Sequence, residues 1–295
     1  MSTWAMLVAA CAFAVIACAC KSSTPAHAPR ENAVNVATAL DGVAIHYRVA
    51  GAEHGDPTVV FVHGFGCDST HFETALKHAA QRRRAVSIDL PGHGLSGKNR
   101  TTWTMEAYGS DVSRVCDAIG AQRVILVGHS MGGPVILEAA REMPGRVLAL
   151  VPVDTFHDVE TRMTADQISG LIDLWRRDYR GSAEKMVRKS FFAPKRNPKL
   201  VEYITAQVTS LPRNIGLALL DSMFHYDVAA ALDVTTLPVR CLNSSERVPT
   251  NLEAGRRHAK RFDARLIPSV GHYPMLEDPA AFNALLDAAC DELAR

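Results

Sequence analysis

The chain has 295 residues, 47% of them hydrophobic, with 32 Lys and Arg against 31 Asp and Glu and a formal net charge of +1. That is long and apolar enough to bury one substantial core. The even charge provides no basic field, so nucleic acid is not an expected partner.

Taken in chain order, residues 4–20 form an apolar run rich in Ala, Val and Cys, too short for a comfortable membrane span and fitting the core of an export signal. Val15-Ile16-Ala17-Cys18 fits the box at which a bacterial lipoprotein is lipidated on its cysteine, although Met1-Ser2-Thr3 lacks the usual basic start. Residues 1–20 are therefore expected to be a signal peptide or lipoprotein signal, and residues 21–32 a flexible tether. A plain secretory signal and a retained anchor stay open. The expected location is the periplasm or a membrane surface, with the membrane reached only through a lipid on Cys18. Cys67, Cys116, Cys241 and Cys290 match no metal spacing and are too sparse for a disulfide scaffold. Cys116 and Cys241 fall on core-facing stripes, and a bridge to Cys67 stays open.

A hairpin is expected over residues 33–49, where alternating apolar residues flank Asp41-Gly42. Apolar runs at 58–62, 124–128 and 146–153 read as buried strands and 85–88 as a short strand, with helical spacing between them at 70–81 and 102–119. The alternation stops after Asp154. Residues 155–235 carry helical stripes and no strand signal, so they are expected to form a helical cap over one sheet edge. Strand and helix alternate again from Leu237, and the last helix starts at Pro279. The fold class is thus α/β: a mostly parallel twisted sheet with helices on both faces, its core from 33–154 and 236–295 and a cap after the sixth strand.

The chemistry centres on Gly128-His129-Ser130-Met131-Gly132-Gly133, which lies between a strand and a helix. This is the strand, sharp turn and helix setting that gives G-x-S-x-G its meaning: the turn lifts the Ser130 hydroxyl above the sheet edge. A serine hydroxyl is a poor nucleophile at neutral pH, so it needs a base, and the base needs a group to fix its tautomer. His272, in a polar loop directly after the last strand, is the candidate base. The developing oxyanion needs two donors, for which the N–H groups of Met131 and Phe65 are the candidates.

With His63-Gly64-Phe65-Gly66, Asp89-Leu90-Pro91-Gly92-His93-Gly94-Leu95-Ser96, the serine turn and Gly271-His272 in this order, residues 33–295 resemble the capped α/β-hydrolases, a group that includes esterases, proline iminopeptidases and haloperoxidase-like enzymes. The resemblance implies that the third group, an acid, lies between Ser130 and His272. The family's usual Gly-x-x-Asp is replaced here by Leu242-Asn243-Ser244-Ser245-Glu246-Arg247-Val248-Pro249, and Glu246 stands nearest the expected place. Asp154, at the end of the preceding strand, is the competitor; it would alternatively cap the first helix of the cap. The implied activity is hydrolysis of a small carboxylic ester on Ser130 with no metal or organic cofactor. An aminopeptidase or amidase, which would need an acid such as Asp173, Asp178 or Glu184 near the site, is the runner-up. A ligand-binding protein on the same scaffold and an acyl transferase also stay open, and the oligomeric state is not legible.

Overall fold

The computed structural model describes residues 34–53, 56–192 and 197–294; the expected signal and tether lie outside the described residues. The strands are β1 (Val34–Thr38), β2 (Ala44–Ala50), β3 (Thr58–Val62), β4 (Ala85–Ile88), β5 (Val124–His129), β6 (Val147–Val153), β7 (Val239–Ser244) and β8 (Phe262–Ile267). They form one sheet in the order β1-β2-β4-β3-β5-β6-β7-β8. β1 and β2 are antiparallel, as are β2 and β4, and the remaining neighbours from β4 to β8 pair in parallel. Every residue of β3 and β5 is buried, as a strand covered on both faces requires. The described cysteines, Cys67, Cys116, Cys241 and Cys290, are unbridged and buried.

The covering helices that precede β6 are α1 (Glu73–Ala79), α2 (Met105–Ala118) and α3 (Gly132–Glu142). Between β6 and β7 come α4 (Ala165–Arg177), α5 (Tyr179–Ser190), α6 (Pro198–Ser210), α7 (Arg213–His225) and α8 (Val228–Asp233); α9 (Leu252–His258), α10 (Pro274–Glu277) and α11 (Pro279–Leu293) complete the chain. α2 packs on α3, and α1 packs on α11. The helix expected over 70–81 opens instead as a 3-10 turn, Ser69–Phe72, because Asp68 accepts from the turn's N–H groups and His71 reaches back to it. None of the helices among the described residues is long and apolar enough to cross a membrane.

Two features of this topology position the site. β4 lies on one side of β3 and β5 on the other, so the connections leaving β3 and β5 run in opposite directions and open a crevice at their carboxyl ends. The cap then roofs that crevice. α4 starts at a capping box made by Thr164 and Gln167 and buries Ile168, Ile172 and Trp175, one stripe at helical spacing. α7 buries Ile215, Leu219 and Leu220 in the same way.

The β5–α3 junction closes only because side chains are missing there. A Cβ on Gly128 would lie 2.2 Å from the Gly132 carbonyl oxygen, and one on Gly132 would lie 2.5 Å from the Val62 oxygen. Gly128→Ala is therefore expected to cost roughly 2–4 kcal/mol, seen as a lower urea midpoint. Gly170, on the exposed face of α4, has open space around its missing Cβ. Gly170→Ala should raise stability by about 0.5–1 kcal/mol in the same assay.

Candidate active site

β5 delivers Ser130 to the centre of the crevice with φ at +51°, a conformation side chains rarely adopt. The turn is fixed by the Ser130 N–H donating to the Val153 oxygen (3.0 Å) and the Gly133 N–H donating to the Ser130 oxygen (2.9 Å). Among the described residues the other non-glycine residues at positive φ are Asp154, Phe156 and Ser269, all on segments that border the site. Strain of about 1–3 kcal/mol per residue is thus concentrated where groups must be aimed.

His272 sits in the loop between β8 and α10 and is buried. Its Nδ1 lies 2.5 Å from Asp154 Oδ2. Asp154 is buried too, and its other oxygen accepts from the Ser244 N–H at 3.0 Å, with His157 Nε2 at 3.4 Å. Arg247 Nε stands 2.8 Å from Oδ2. Burial alone would raise the proton affinity of Asp154, but these contacts with His157 and His272 and the nearby charges of His272 and Arg247 hold its carboxyl well below the usual range. Burial lowers the His272 value, Asp154 pulls it back up, and Arg247 and His157 add to the lowering.

The expectation that Glu246 orients the imidazole is corrected by this geometry. Glu246 is exposed, and its Oε1 accepts from Ser245 Oγ (3.2 Å) and the Ser269 N–H (3.3 Å), tying two loops together at the rim. Asp154 reaches the ring because β6 and β7 end side by side: its own N–H donates to the Leu242 oxygen at 3.0 Å. It caps no helix; Thr164 does that for α4.

Several groups that hold His272 carry no sequence signal of their own. His129 Nε2 donates to the His272 carbonyl at 2.7 Å. Glu277, on the first turn of α10, accepts from the N–H groups of Gly271 (2.9 Å) and Tyr273 (3.0 Å) and so brackets the histidine. The His272 N–H donates to the Phe191 oxygen at the end of α5 (2.5 Å), and Ser244 Oγ donates to the Val270 oxygen (2.5 Å). A sequence shows periodicity but not which distant loop a side chain will hold.

The loop after β3 is held as firmly. His63 Nδ1 meets the Gly64 oxygen at 2.8 Å and its Nε2 accepts from the Leu90 N–H at 3.0 Å; His93 Nε2 accepts from the Gly66 N–H at 3.2 Å. Burial pushes both rings toward the neutral form, lowering His93 to about 3. The loop they fix presents Phe65 beside the elbow, where a Cβ on Gly64 would come within 3.1 Å of the Ser130 Cβ. Among the described residues the N–H groups of Phe65 and Met131 have no protein acceptor.

Ser130 and His272 line one cavity of about 310 Å³, walled by Phe65, Leu171, Trp175, Met186, Leu220 and Met223. Lys185 and Lys189, one turn apart on α5, stand among its lining residues. A second cavity, of about 380 Å³, is also lined by Ser130 and is bordered by Met131, Pro134, Phe156, His157, Met223 and Val248. Asp173, Asp178 and Glu184 line neither cavity: they pair with Arg176, cap α5 and pair with Arg188 respectively.

The family model described as the alpha/beta hydrolase family matches residues 59–285. The chain belongs to the alpha/beta hydrolase family. The chain is 37% identical over 114 residues, 39% of its own length and 30% of the relative's, to the dihydrolipoyllysine-residue acetyltransferase component of an acetoin cleaving system from Cupriavidus necator. It is 31% identical over 105 residues, 36% of its own length and 38% of the relative's, to the 2-(acetamidomethylene)succinate hydrolase of Mesorhizobium japonicum. The matches thus span only about a third of these curated relatives. In fold it is similar to a thermophilic esterase from Thermogutta terrifontis, with a TM-score of 0.76 at 23% identity, covering 90% of this chain and all of that one.

Within the fold, His129 is a staple: burial, with the nearby His272 ring, keeps its proton affinity far below the ordinary value. His129→Leu would leave the His272 carbonyl buried without a donor. The expected cost is about 1–3 kcal/mol in chemical denaturation.

Proposed function

We propose that this hydrolase cleaves small carboxylic esters through an acyl-enzyme on Ser130. The observation that carries the reading is the buried contact of Asp154 with His272 Nδ1, which leaves the other ring nitrogen for the cavity that Ser130 also lines. With Nδ1–H committed to the carboxylate, Nε2 is the basic nitrogen. It takes the proton as the Ser130 oxygen attacks the ester carbonyl, and Asp154 stabilises the imidazolium that forms. The unpaired N–H groups of Phe65 and Met131 are then free to receive the oxyanion, at a gain on the order of a few kcal/mol each. His272 returns the proton to the leaving alcohol, next draws one from the water that attacks the acyl carbonyl, and passes it to the Ser130 oxygen as the acid leaves.

The two cavities support a division of the substrate between them. The leaving oxygen must meet the proton on His272, which lines the apolar cavity under the cap, so the alcohol portion belongs there. The acyl portion takes the cavity beside Met131 and Phe156. An aminopeptidase would need a carboxylate to hold the substrate amine, and lysines line the apolar cavity instead; the ester reading is favoured on that ground.

A panel of p-nitrophenyl esters tests it. Wild type should hydrolyse short acyl esters and react with a fluorophosphonate at Ser130, whereas Ser130→Ala should do neither. Asp154→Asn should lower kcat by roughly 10³–10⁴-fold, as expected when an imidazole loses its orienting acid. Glu246→Gln should stay within about fivefold of wild type, a surface substitution away from the reacting groups. Fluorophosphonate labelling at no site, or loss of turnover in Glu246→Gln alone, would overturn the reading.

A further inference from the structure

We propose that Arg247 is a positioning residue that locks the cap to the acid of the site, joining Asp154 to the end of α5 so that the charge around His272 is set by a cation held in place by the cap. The inference rests on the proposed roles of Ser130, His272 and Asp154.

Four residues form a closed circuit. Arg247 Nε lies 2.8 Å from Asp154 Oδ2, the same oxygen that meets His272 Nδ1 at 2.5 Å. The His272 N–H donates to the Phe191 oxygen, and the two rings are 4.3 Å apart. Arg247 closes the circuit by donating from Nη1 to the Ser190 oxygen and by placing its Cζ 5.7 Å from the Phe191 ring. Arg247 lies in the segment between β7 and α9, next to Glu246, where the sequence offered a carboxylate. A cation therefore reaches, from that segment, the carboxylate supplied by β6.

The chemistry of the circuit follows from charge. Asp154 is the group that stabilises a protonated His272, and a fixed guanidinium on the same oxygen spends part of that attraction. Around His272 the other titratable and charged groups are His157 from the segment after β6, His129 from β5, Tyr273 and Glu277 at α10, and Lys185 and Lys189 of α5 on the cavity wall. Among the described residues Arg247 is the arginine that touches Asp154, and no lysine does. It keeps the imidazole in its neutral, proton-accepting form to lower pH. A guanidinium suits the task better than an ammonium, because one planar fork can meet a carboxylate, a carbonyl and a ring face together.

The test is the pH dependence of kcat/KM for a p-nitrophenyl ester, with the ring protons of His272 followed by NMR in the same variants on a Ser130→Ala background. Arg247→Met should move the acid limb up by about one pH unit, and the NMR titration of His272 should move with it. Arg247→Gln, which keeps donors for Ser190 but no charge, should do the same, so the test survives if the Met variant fails to fold. Arg247→Lys should leave the limb near its wild-type position while lowering the melting temperature, since the ammonium cannot span all three contacts. An acid limb and a His272 titration unmoved in Met and Gln variants that fold would overturn the proposal and make Arg247 a loop anchor only. Absence of ester turnover in wild type with a shifted His272 titration would instead count against the proposed function and leave the electrostatic inference standing.

Discussion

A carboxylate kept ionised inside the protein is the constraint on which the rest of the site depends. Burying a lone charge costs several kcal/mol even after relaxation. Asp154 is buried, yet its carboxyl is held well below the usual range. It tolerates this because the Ser244 N–H, His272, His157 and Arg247 surround its two oxygens. Each of those partners comes from a different stretch of chain: the end of β7, the loop after β8, the segment after β6, and the approach to α9. Satisfying one charge therefore assembles the carboxyl edge of three neighbouring strands, and the imidazole is aimed as part of the same arrangement.

Neutral histidines hold the other segments. A neutral imidazole offers one donor and one acceptor on a rigid ring, which suits a buried position between two main-chain strands. His63 and His93 staple the loop after β3 to the Asp89–Ser96 loop, and His129 links the Ser130 turn to the His272 carbonyl. Burial lowers the proton affinity of all three, which favours the neutral form that each of these hydrogen bonds needs. His272 and His157 thus share a carboxylate, while burial pushes His63, His93 and His129 toward the uncharged form; surroundings and not residue type make the difference.

Much of this was legible in the chain. Continuous apolar runs marked β3, β5 and β6, because a strand covered on both faces has no polar side. The glycines around Ser130 marked the turn, since a Cβ at either end would collide with backbone. Helical stripes marked the cap and the turn dipeptide Asp41-Gly42 marked the β1–β2 hairpin, where Gly42 has φ at +84°. The carboxylate that meets His272 was not legible. Two carboxylates at the ends of neighbouring parallel strands are equivalent in sequence pattern, and the choice between them lies in a tertiary fact, the exposure of Glu246 against the burial of Asp154. Nor were Glu277 and Arg247: each is an ordinary charged residue until the loop it holds is placed beside it.

The equivalence of the two strand ends also explains why the arrangement works. β6 and β7 run in parallel register, with Val153 opposite Leu242, so a side chain just beyond either end starts at the same edge of the sheet. The imidazole comes from beyond β8 and needs only a carboxylate in reach of Nδ1. Supplying it from β6 places the carboxylate on the strand beside β5 and fastens it to the Ser130 turn, through the Ser130 N–H on the Val153 oxygen. The segment after β7 is then released from carrying the acid. It is free to face outward with Glu246 on Ser269 and inward with Arg247 on Asp154, and through Ser190 it meets the cap. Supplying the acid from the inner strand thus turns the neighbouring loop from a source of chemistry into a connection between the roof of the site and its floor.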